Sequence, residues 1–202
     1  MQTLTDRCSN TPLILLAGLR ASGKSTVGPL LAAELAVPFH DLDHSTAALL
    51  HEGGGLLSVA ELFKSRGELA FRDAECKAFS RMLIESTHTG AIVLALGGGT
   101  LMQAEAQRRL IAHRAEFSHS MCLILLDPSV ETMRARLKAD GGDRPSLTGV
   151  GVIEEVAAIA AQRLTVYRSL ADAIITESNS PAATTAACFS AVRAFRANHA
   201  AS

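Results

Sequence analysis

The sequence predicts an α/β fold in which a parallel β-sheet carries helices on both faces. Apolar segments of strand length alternate with helical segments along the chain, which is the pattern of a parallel sheet. A phosphate-binding motif stands between the first of these strands and the first helix, at residues 18–25. With 202 residues, 48% of them apolar, the chain is long enough for one α/β domain with a full core. We expect that domain to cover residues 12–202, after a flexible tail over residues 1–11.

The motif at residues 18–25, called the phosphate loop below, reads Gly-Leu-Arg-Ala-Ser-Gly-Lys-Ser. It follows an apolar run and precedes a predicted helix that ends near Ala36. Free backbone N–H groups and the helix dipole attract phosphate at such a place; the alternative is an ordinary glycine-containing turn. We expect Lys24 to reach the β- and γ-phosphates of a nucleotide and the Ser25 hydroxyl to ligate Mg²⁺. The predicted nucleotide contacts here are Gly18, Ala21, Ser22, Gly23, Lys24, Ser25 and Thr26.

Charge and composition restrict where the protein works and what it binds. The formal net charge of −1 argues against broad nucleic-acid binding, and no apolar run approaches the length of a membrane span. The N-terminal residues are polar and lack the apolar core of a signal peptide. The four cysteines are scattered without metal-ligand spacing, which is typical of free thiols in a reducing compartment. These features predict a cytoplasmic location.

Two carboxylates end the second predicted strand, at Asp41-Leu42-Asp43. Residues two apart in a strand point in the same direction, and ligands bind at the carboxyl edge of an open α/β sheet. We therefore expect one carboxylate to support Mg²⁺ and the other to bind an acceptor hydroxyl. The alternative is that both cap the following helix, which is predicted over residues 44–51.

A long helix, predicted over residues 68–86, follows a glycine break at residues 52–55 and a short capped helix at residues 58–63. The long helix carries Arg72 and Glu75, which share a face because they are three positions apart. Taken alone, such a pair is typical of a surface ion pair.

Three consecutive glycines at residues 97–99, called the glycine turn below, follow a buried strand predicted over residues 91–96. Glycines in this position indicate close approach of another group to the backbone, and a flexible turn is the alternative. A helix over residues 103–114, a strand over residues 121–126 and a helix that starts at Ser129 come next.

Residues 138–150 change character, since they are polar, rich in glycine and contain the sequence Asp143-Arg144-Pro145. This composition predicts a mobile lid that brings an arginine onto the transferring phosphate, and an ordinary surface loop is the alternative. A helix over residues 151–170, a short strand over residues 172–176 and a helix over residues 181–199 complete the chain.

In order and approximate spacing, these motifs resemble the shikimate kinase family over nearly the whole chain. The matching elements are the phosphate loop, Asp41-x-Asp43, Phe71-Arg72-x-x-Glu75, the glycine turn, Asp143-Arg144-Pro145 and Arg163-x-x-x-Tyr167. The resemblance implies a three-layer α/β/α P-loop kinase fold with a five-stranded parallel sheet of the nucleoside monophosphate kinase type. It also implies a shikimate-binding lobe over residues 40–90 and a lid over residues 138–150.

The activity that the resemblance implies is ATP- and Mg²⁺-dependent phosphorylation of the 3-hydroxyl of shikimate, a small-molecule substrate, by a monomer. The catalytic residues would be Lys24, Asp43 and Arg144. Of these, Asp43 would orient or deprotonate the attacking hydroxyl, and Arg144 would move with the lid onto ATP.

Further residue roles follow from the same resemblance. The shikimate carboxylate would be held by Arg72 and Arg163, and the shikimate pocket would be lined by Gly97, Gly98 and Gly99. Mg²⁺ would be supported through water by Asp41, and adenine would be contacted by Arg136 and Pro181.

The sequence departs from the family pattern at two places. Ala21 stands in the phosphate loop where the family usually carries glycine, and the segment between Asp43 and Phe63 is a few residues longer than usual. That segment also lacks the Glu commonly found shortly after the Asp pair. A kinase for another small hydroxy acid, such as gluconate, and a non-catalytic ligand sensor therefore remain alternatives to a shikimate kinase.

Overall fold

The computed structural model of the chain describes residues 13–50, 59–117, 121–139, 151–176 and 180–199. Within them the chain forms a five-stranded sheet in the order β2-β3-β1-β4-β5, with every neighbouring pair parallel. The strands are β1 (Leu13–Ala17), β2 (Phe39–Asp41), β3 (Val93–Ala95), β4 (Met121–Leu126) and β5 (Ala173–Ile175). The predicted five-stranded parallel sheet is confirmed.

The described helices follow the strands in the predicted alternation. They are α1 (Lys24–Leu35), α2 (Leu42–Leu50), α3 (Val59–Arg66), α4 (Glu68–Thr89), α5 (Ala104–Glu116), α6 (Val130–Ala139), α7 (Val156–Leu170) and α8 (Pro181–His199). A short 3₁₀ helix, Thr100–Met102, follows the glycine turn.

The central strands are apolar at every position because both faces of the sheet are covered. All five residues of β1 are buried, as expected for a parallel strand between two helical layers. Its alternate residues face opposite cores: Leu15 packs with residues of α4 to α7, whereas Ile14 packs with residues of α1 and α8. The result is the three-layer α/β/α arrangement that the family resemblance implies.

The second strand ends earlier than the sequence predicts, at Asp41, and α2 begins at Leu42. The Asp41 carboxylate accepts a hydrogen bond from the backbone N–H of Asp43 (2.9 Å), which stabilises the first turn of α2. The prediction that Asp43 ends a strand is therefore wrong, although Asp41 does cap a helix as the alternative proposed.

Several helix boundaries also differ from prediction, since α3 ends at Arg66 instead of Phe63 and α5 ends at Glu116 instead of Arg114. The helix α4 continues to Thr89 instead of ending near Ser86, and it stops before Gly90, whose φ of 91° lies outside the helical range. The helix α7 begins at Val156 instead of residue 151, since Gly151 has a φ of 118°, outside the helical range.

Within the described residues, no helix combines the length and the apolar composition that crossing a membrane requires. The predicted glycine break at residues 52–55 and all but the first two residues of the predicted lid lie outside the described residues.

Candidate active site

The candidate site lies at the carboxyl edge of the sheet, where ligands bind in open α/β folds. The phosphate loop follows β1, Asp41 ends β2 and the glycine turn follows β3, so these three segments meet at neighbouring strand ends. The loop and the turn lie next to each other, since a Cβ on Gly98 would lie 3.5 Å from the backbone nitrogen of Arg20.

The backbone of the phosphate loop curves around the Lys24 side chain. The Lys24 ammonium donates to the carbonyl oxygens of Gly18 (2.8 Å) and Leu19 (3.0 Å), so its charge lies at the centre of the loop. Gly23 has a φ of 106° and Ala21 a φ of 59°. For Ala21 this left-handed conformation costs about 1–2 kcal/mol relative to glycine, because the Cβ crowds the following carbonyl.

One guanidinium holds the strained part of this loop. The Nη1 atom of Arg136, on α6, donates to the carbonyl oxygens of Ala21 (3.1 Å) and Ser22 (3.0 Å). Arg136 therefore contacts the backbone of the phosphate loop. The sequence predicts only an adenine contact for this residue.

The residues that could hold a metal lie side by side. The Ser25 hydroxyl lies 3.4 Å from an oxygen of the Asp41 carboxylate. A hydroxyl and a carboxylate are hard oxygen ligands, and Mg²⁺ uses one or two such groups together with phosphate oxygens and water. Among the described residues, no group of three or more His, Cys, Asp or Glu side chains forms a complete metal site. The donor set fits Mg²⁺ that arrives with a nucleotide.

The glycine turn is shaped by side chains that approach its Cα atoms. A Cβ on Gly97 would collide with the Glu75 carboxylate and would lie 2.9 Å from a carboxylate oxygen of Asp43. A Cβ on Gly99 would lie 2.9 Å from Nη1 of Arg72. A larger side chain at Gly97 or Gly99 would have to displace Glu75, Asp43 or Arg72, which is the close approach that the glycine turn predicts.

The buried Glu75 carboxylate connects three polar side chains around the glycine turn. Its side chain is 1% exposed, and it accepts hydrogen bonds from Arg72 Nη1 (2.8 Å), Thr100 Oγ1 (2.5 Å) and Gln103 Nε2 (2.7 Å). Burial disfavours the charge of Arg72, but the neighbouring carboxylates of Glu75 and Glu68 together outweigh burial and raise the pKa of the guanidinium. The interpretation of Arg72 and Glu75 as a surface ion pair is therefore wrong, because the carboxylate is buried.

Two side chains of α7 bind the middle of the glycine turn. The Gly98 carbonyl accepts hydrogen bonds from Arg163 Nη1 (2.7 Å) and from the Tyr167 hydroxyl (2.8 Å). Tyr167 is 1% exposed, and its burial raises the pKa of the phenol, which therefore stays protonated as a donor. The arginine and tyrosine singled out in sequence thus meet at one carbonyl oxygen.

The structure brings Asp43, Arg72 and Arg163 to the glycine turn, beside the phosphate loop. Pro181 is the exposed first residue of α8, and Arg144 lies outside the described residues. A second contact that local patterns do not reveal is the partly buried ion pair between Arg20 of the phosphate loop and Glu155 before α7. No local pattern marks that pair, because its partners are 135 residues apart.

We predict that replacing Ala21 with glycine raises the free energy of unfolding by about 1 kcal/mol, because it relieves the left-handed strain. It also tightens nucleotide binding, since the strained conformation belongs to the phosphate loop. Chemical denaturation and titration with a fluorescent ATP analogue measure the two effects.

Ala36 provides a matched control, because it has a φ of 56° at the end of α1. Ala36→Gly should stabilise the protein to a similar degree and leave nucleotide affinity unchanged. Equal effects of both substitutions on affinity, or a destabilising Ala21→Gly, would contradict the assignment of strain to the phosphate loop.

Comparison with known proteins agrees with this geometry. The family model described as shikimate kinase matches residues 20–193. A shikimate kinase from Rhodopirellula baltica is 37% identical over 79% of this chain and 78% of its own length. The solved shikimate kinase from Acinetobacter baumannii, in complex with shikimate, covers 94% of this chain and 95% of its own, with a TM-score of 0.75 and 25% identity. A gluconokinase from Sinorhizobium meliloti shares the fold (TM-score 0.63, 13% identity, 94% and 95% coverage). The chain belongs to the shikimate kinase family.

Proposed function

We propose that this protein transfers the γ-phosphate of ATP to the 3-hydroxyl of shikimate, giving shikimate 3-phosphate and ADP. The observation that carries this proposal is the convergence of Arg72, Arg163 and Asp43 on the glycine turn, which itself contacts the phosphate loop. Two cations and one carboxylate beside a phosphate site suit a small hydroxylated acid as the acceptor.

The acceptor side of the site fits the chemistry of shikimate, which has one carboxylate and three hydroxyls. A guanidinium can bind a carboxylate through two parallel hydrogen bonds, and Arg72 and Arg163 both lie at the turn. Glycine at positions 97 and 99 avoids a Cβ within 3 Å of neighbouring side chains, and the backbone N–H groups of the turn would donate to hydroxyl oxygens. Asp43 supplies the acceptor for a hydroxyl proton.

The donor side of the site fits a nucleoside triphosphate. The backbone of the phosphate loop surrounds the β-phosphate, and Ser22, Gly23 and Thr26 contribute to this binding. When the nucleotide binds, Lys24 exchanges its contacts with loop carbonyls for contacts with phosphate oxygens. Mg²⁺ held by Ser25 and Asp41 neutralises charge on the phosphate oxygens when it is bound. We further propose that Arg136 and Pro181 border adenine and that Arg144 completes the charge neutralisation.

The reaction needs positioning more than covalent help from the protein. Asp43 orients the 3-hydroxyl and accepts its proton as the hydroxyl oxygen bonds to the γ-phosphorus. The bond from that phosphorus to the bridging oxygen breaks, and ADP leaves with its negative charge. Lys24 and the N–H groups at the start of α1 stabilise the charge that accumulates on the phosphate oxygens.

An assay of ADP release, with ATP and Mg²⁺ and with a panel of acceptors, tests the proposed reaction. We expect release to require shikimate and to be slower with gluconate. Faster turnover with gluconate would overturn the acceptor assignment. Nucleotide binding without any steady-state turnover on shikimate would instead favour a non-catalytic sensor.

We predict that Asp43→Asn lowers turnover by about 100-fold or more, because asparagine cannot accept the hydroxyl proton. ATP affinity should stay nearly intact, since Asp43 faces the acceptor. Asp73→Asn, at an exposed ion pair on α4, is the matched control and should leave turnover unchanged. An equal loss of ATP affinity in Asp43→Asn would show that the role of Asp43 is wrongly assigned.

We predict that Arg163→Lys raises the KM for shikimate by about tenfold or more, because lysine cannot form the two-point contact with a carboxylate. Arg168→Lys on the same helix is the control, because Arg168 is 54% exposed and pairs with Asp127. An unchanged KM in Arg163→Lys, or an equal change in both variants, would count against carboxylate binding by Arg163.

We also propose that the protein works in the cytoplasm as a monomer. Its single domain would cover residues 12–202, with a shikimate-binding lobe over residues 40–90 and a lid over residues 138–150. Among the described residues, Cys76, Cys122 and Cys188 are free thiols, which suits a reducing compartment. Sedimentation equilibrium of the purified chain tests the monomer directly.

A further inference from the structure

A partly buried ion pair joins the phosphate loop to the N-terminus of α7. Arg20 Nη1 donates to Glu155 Oε1 at 2.8 Å, and the two side chains are 16% and 0% exposed. The partners are 135 residues apart, so the pair ties together two elements that are distant in sequence.

Arg20 is one of the groups that compensate the charge of the Glu155 carboxylate, whose side chain is 0% exposed. A carboxylate removed from water needs a cation or donors nearby, and removing one partner of a buried pair leaves an uncompensated charge. Glu155 stands at the N-cap of α7, where the positive end of the helix dipole also favours its charge. Its backbone carbonyl accepts from the N–H of Ile159 (2.9 Å), which fixes the first turn of α7.

The pair lies beside a second connection between the same elements. A Cβ on Gly98 would lie 3.5 Å from the backbone nitrogen of Arg20, so the glycine turn lies next to the phosphate loop. On its other side, the Gly98 carbonyl is bound by Arg163 and Tyr167 of α7. The phosphate loop, the glycine turn and α7 thus form a closed ring of contacts, and Arg20 with Glu155 supplies its polar link between loop and helix.

We infer that Arg20 and Glu155 are positioning residues that fix the phosphate loop relative to α7, and hence the phosphate donor relative to the acceptor held by Arg163. This inference rests on the proposed function, because it concerns the geometry of transfer between those two sites. Neither residue contacts the reacting atoms. Their effect should fall on turnover, since a misplacement of about 1 Å between reacting groups can cost about 100-fold in rate.

The test compares Glu155→Gln and the double variant Arg20→Met/Glu155→Leu with the unchanged protein. The double variant removes both charges and fills the space with apolar side chains, so we expect its thermal midpoint to be close to that of the unchanged protein. We expect kcat to fall about 10- to 100-fold in the double variant, with the KM for shikimate and the Kd for a fluorescent ATP analogue changed less than about threefold. Glu155→Gln, which keeps a hydrogen bond but loses the charge, should show a smaller fall in kcat.

The double variant Arg81→Met/Glu85→Leu is the control, because this pair is exposed on the surface of α4. It should leave kcat unchanged. A kcat within twofold of the unchanged protein in Arg20→Met/Glu155→Leu, at an unaltered thermal midpoint, would overturn the inference.

Hydrogen exchange separates this inference from the proposed function. The amides of Ser22 and Ile159, which bond to Leu19 and Glu155, should exchange faster in Arg20→Met/Glu155→Leu than in the Arg81/Glu85 control. This result does not depend on catalysis. Absence of kinase activity in the protein without substitutions would contradict the proposed function. Unaltered exchange at both amides in Arg20→Met/Glu155→Leu would contradict the inference that this ion pair fixes the phosphate loop relative to α7.

Discussion

The buried carboxylate of Glu75 is the group on which the acceptor half of the site depends. It is almost inaccessible to water, and its three side-chain donors come from α4, from the 3₁₀ helix after the glycine turn and from the residue that precedes α5. A carboxylate in this position would be costly without those partners. The same contacts therefore satisfy its charge, hold the Arg72 guanidinium against Gly99 and fix the end of the glycine turn. The proposed substrate contacts and the structure of this edge of the sheet thus share one set of hydrogen bonds.

The parallel sheet explains why these groups meet. Parallel strands place all their carboxyl ends at one edge, so the phosphate loop, the carboxylates after β2 and the glycine turn become neighbours without any sequence proximity. The second helical layer then adds side chains from the far end of the chain. Arg163 on α7 bonds to Gly98, and Glu155 just before α7 bonds to Arg20, so this helix connects the glycine turn with the phosphate loop.

The sequence predicted the features that local patterns carry. Apolar runs of strand length predicted β1, β3 and β4, and the spacing of Gly18, Gly23 and Lys24 identified the phosphate loop because that motif has a fixed local geometry. The burial of Glu75 was not predictable, since an arginine and a glutamate three apart look the same on an exposed helix and over a core. Glu155 gave no signal either, because its partner is remote in sequence. The site roles of Asp43 and Arg144 came from family resemblance, and Arg144 lies outside the described residues.

The most direct test of this account is a crystal structure of the protein with ADP, Mg²⁺ and shikimate. The account predicts the shikimate carboxylate between Arg72 and Arg163, the 3-hydroxyl facing Asp43, and Mg²⁺ near Ser25 and Asp41, with the three hydrogen bonds to Glu75 intact. A carboxylate bound away from both arginines, or a 3-hydroxyl that faces away from the phosphate loop, would contradict it.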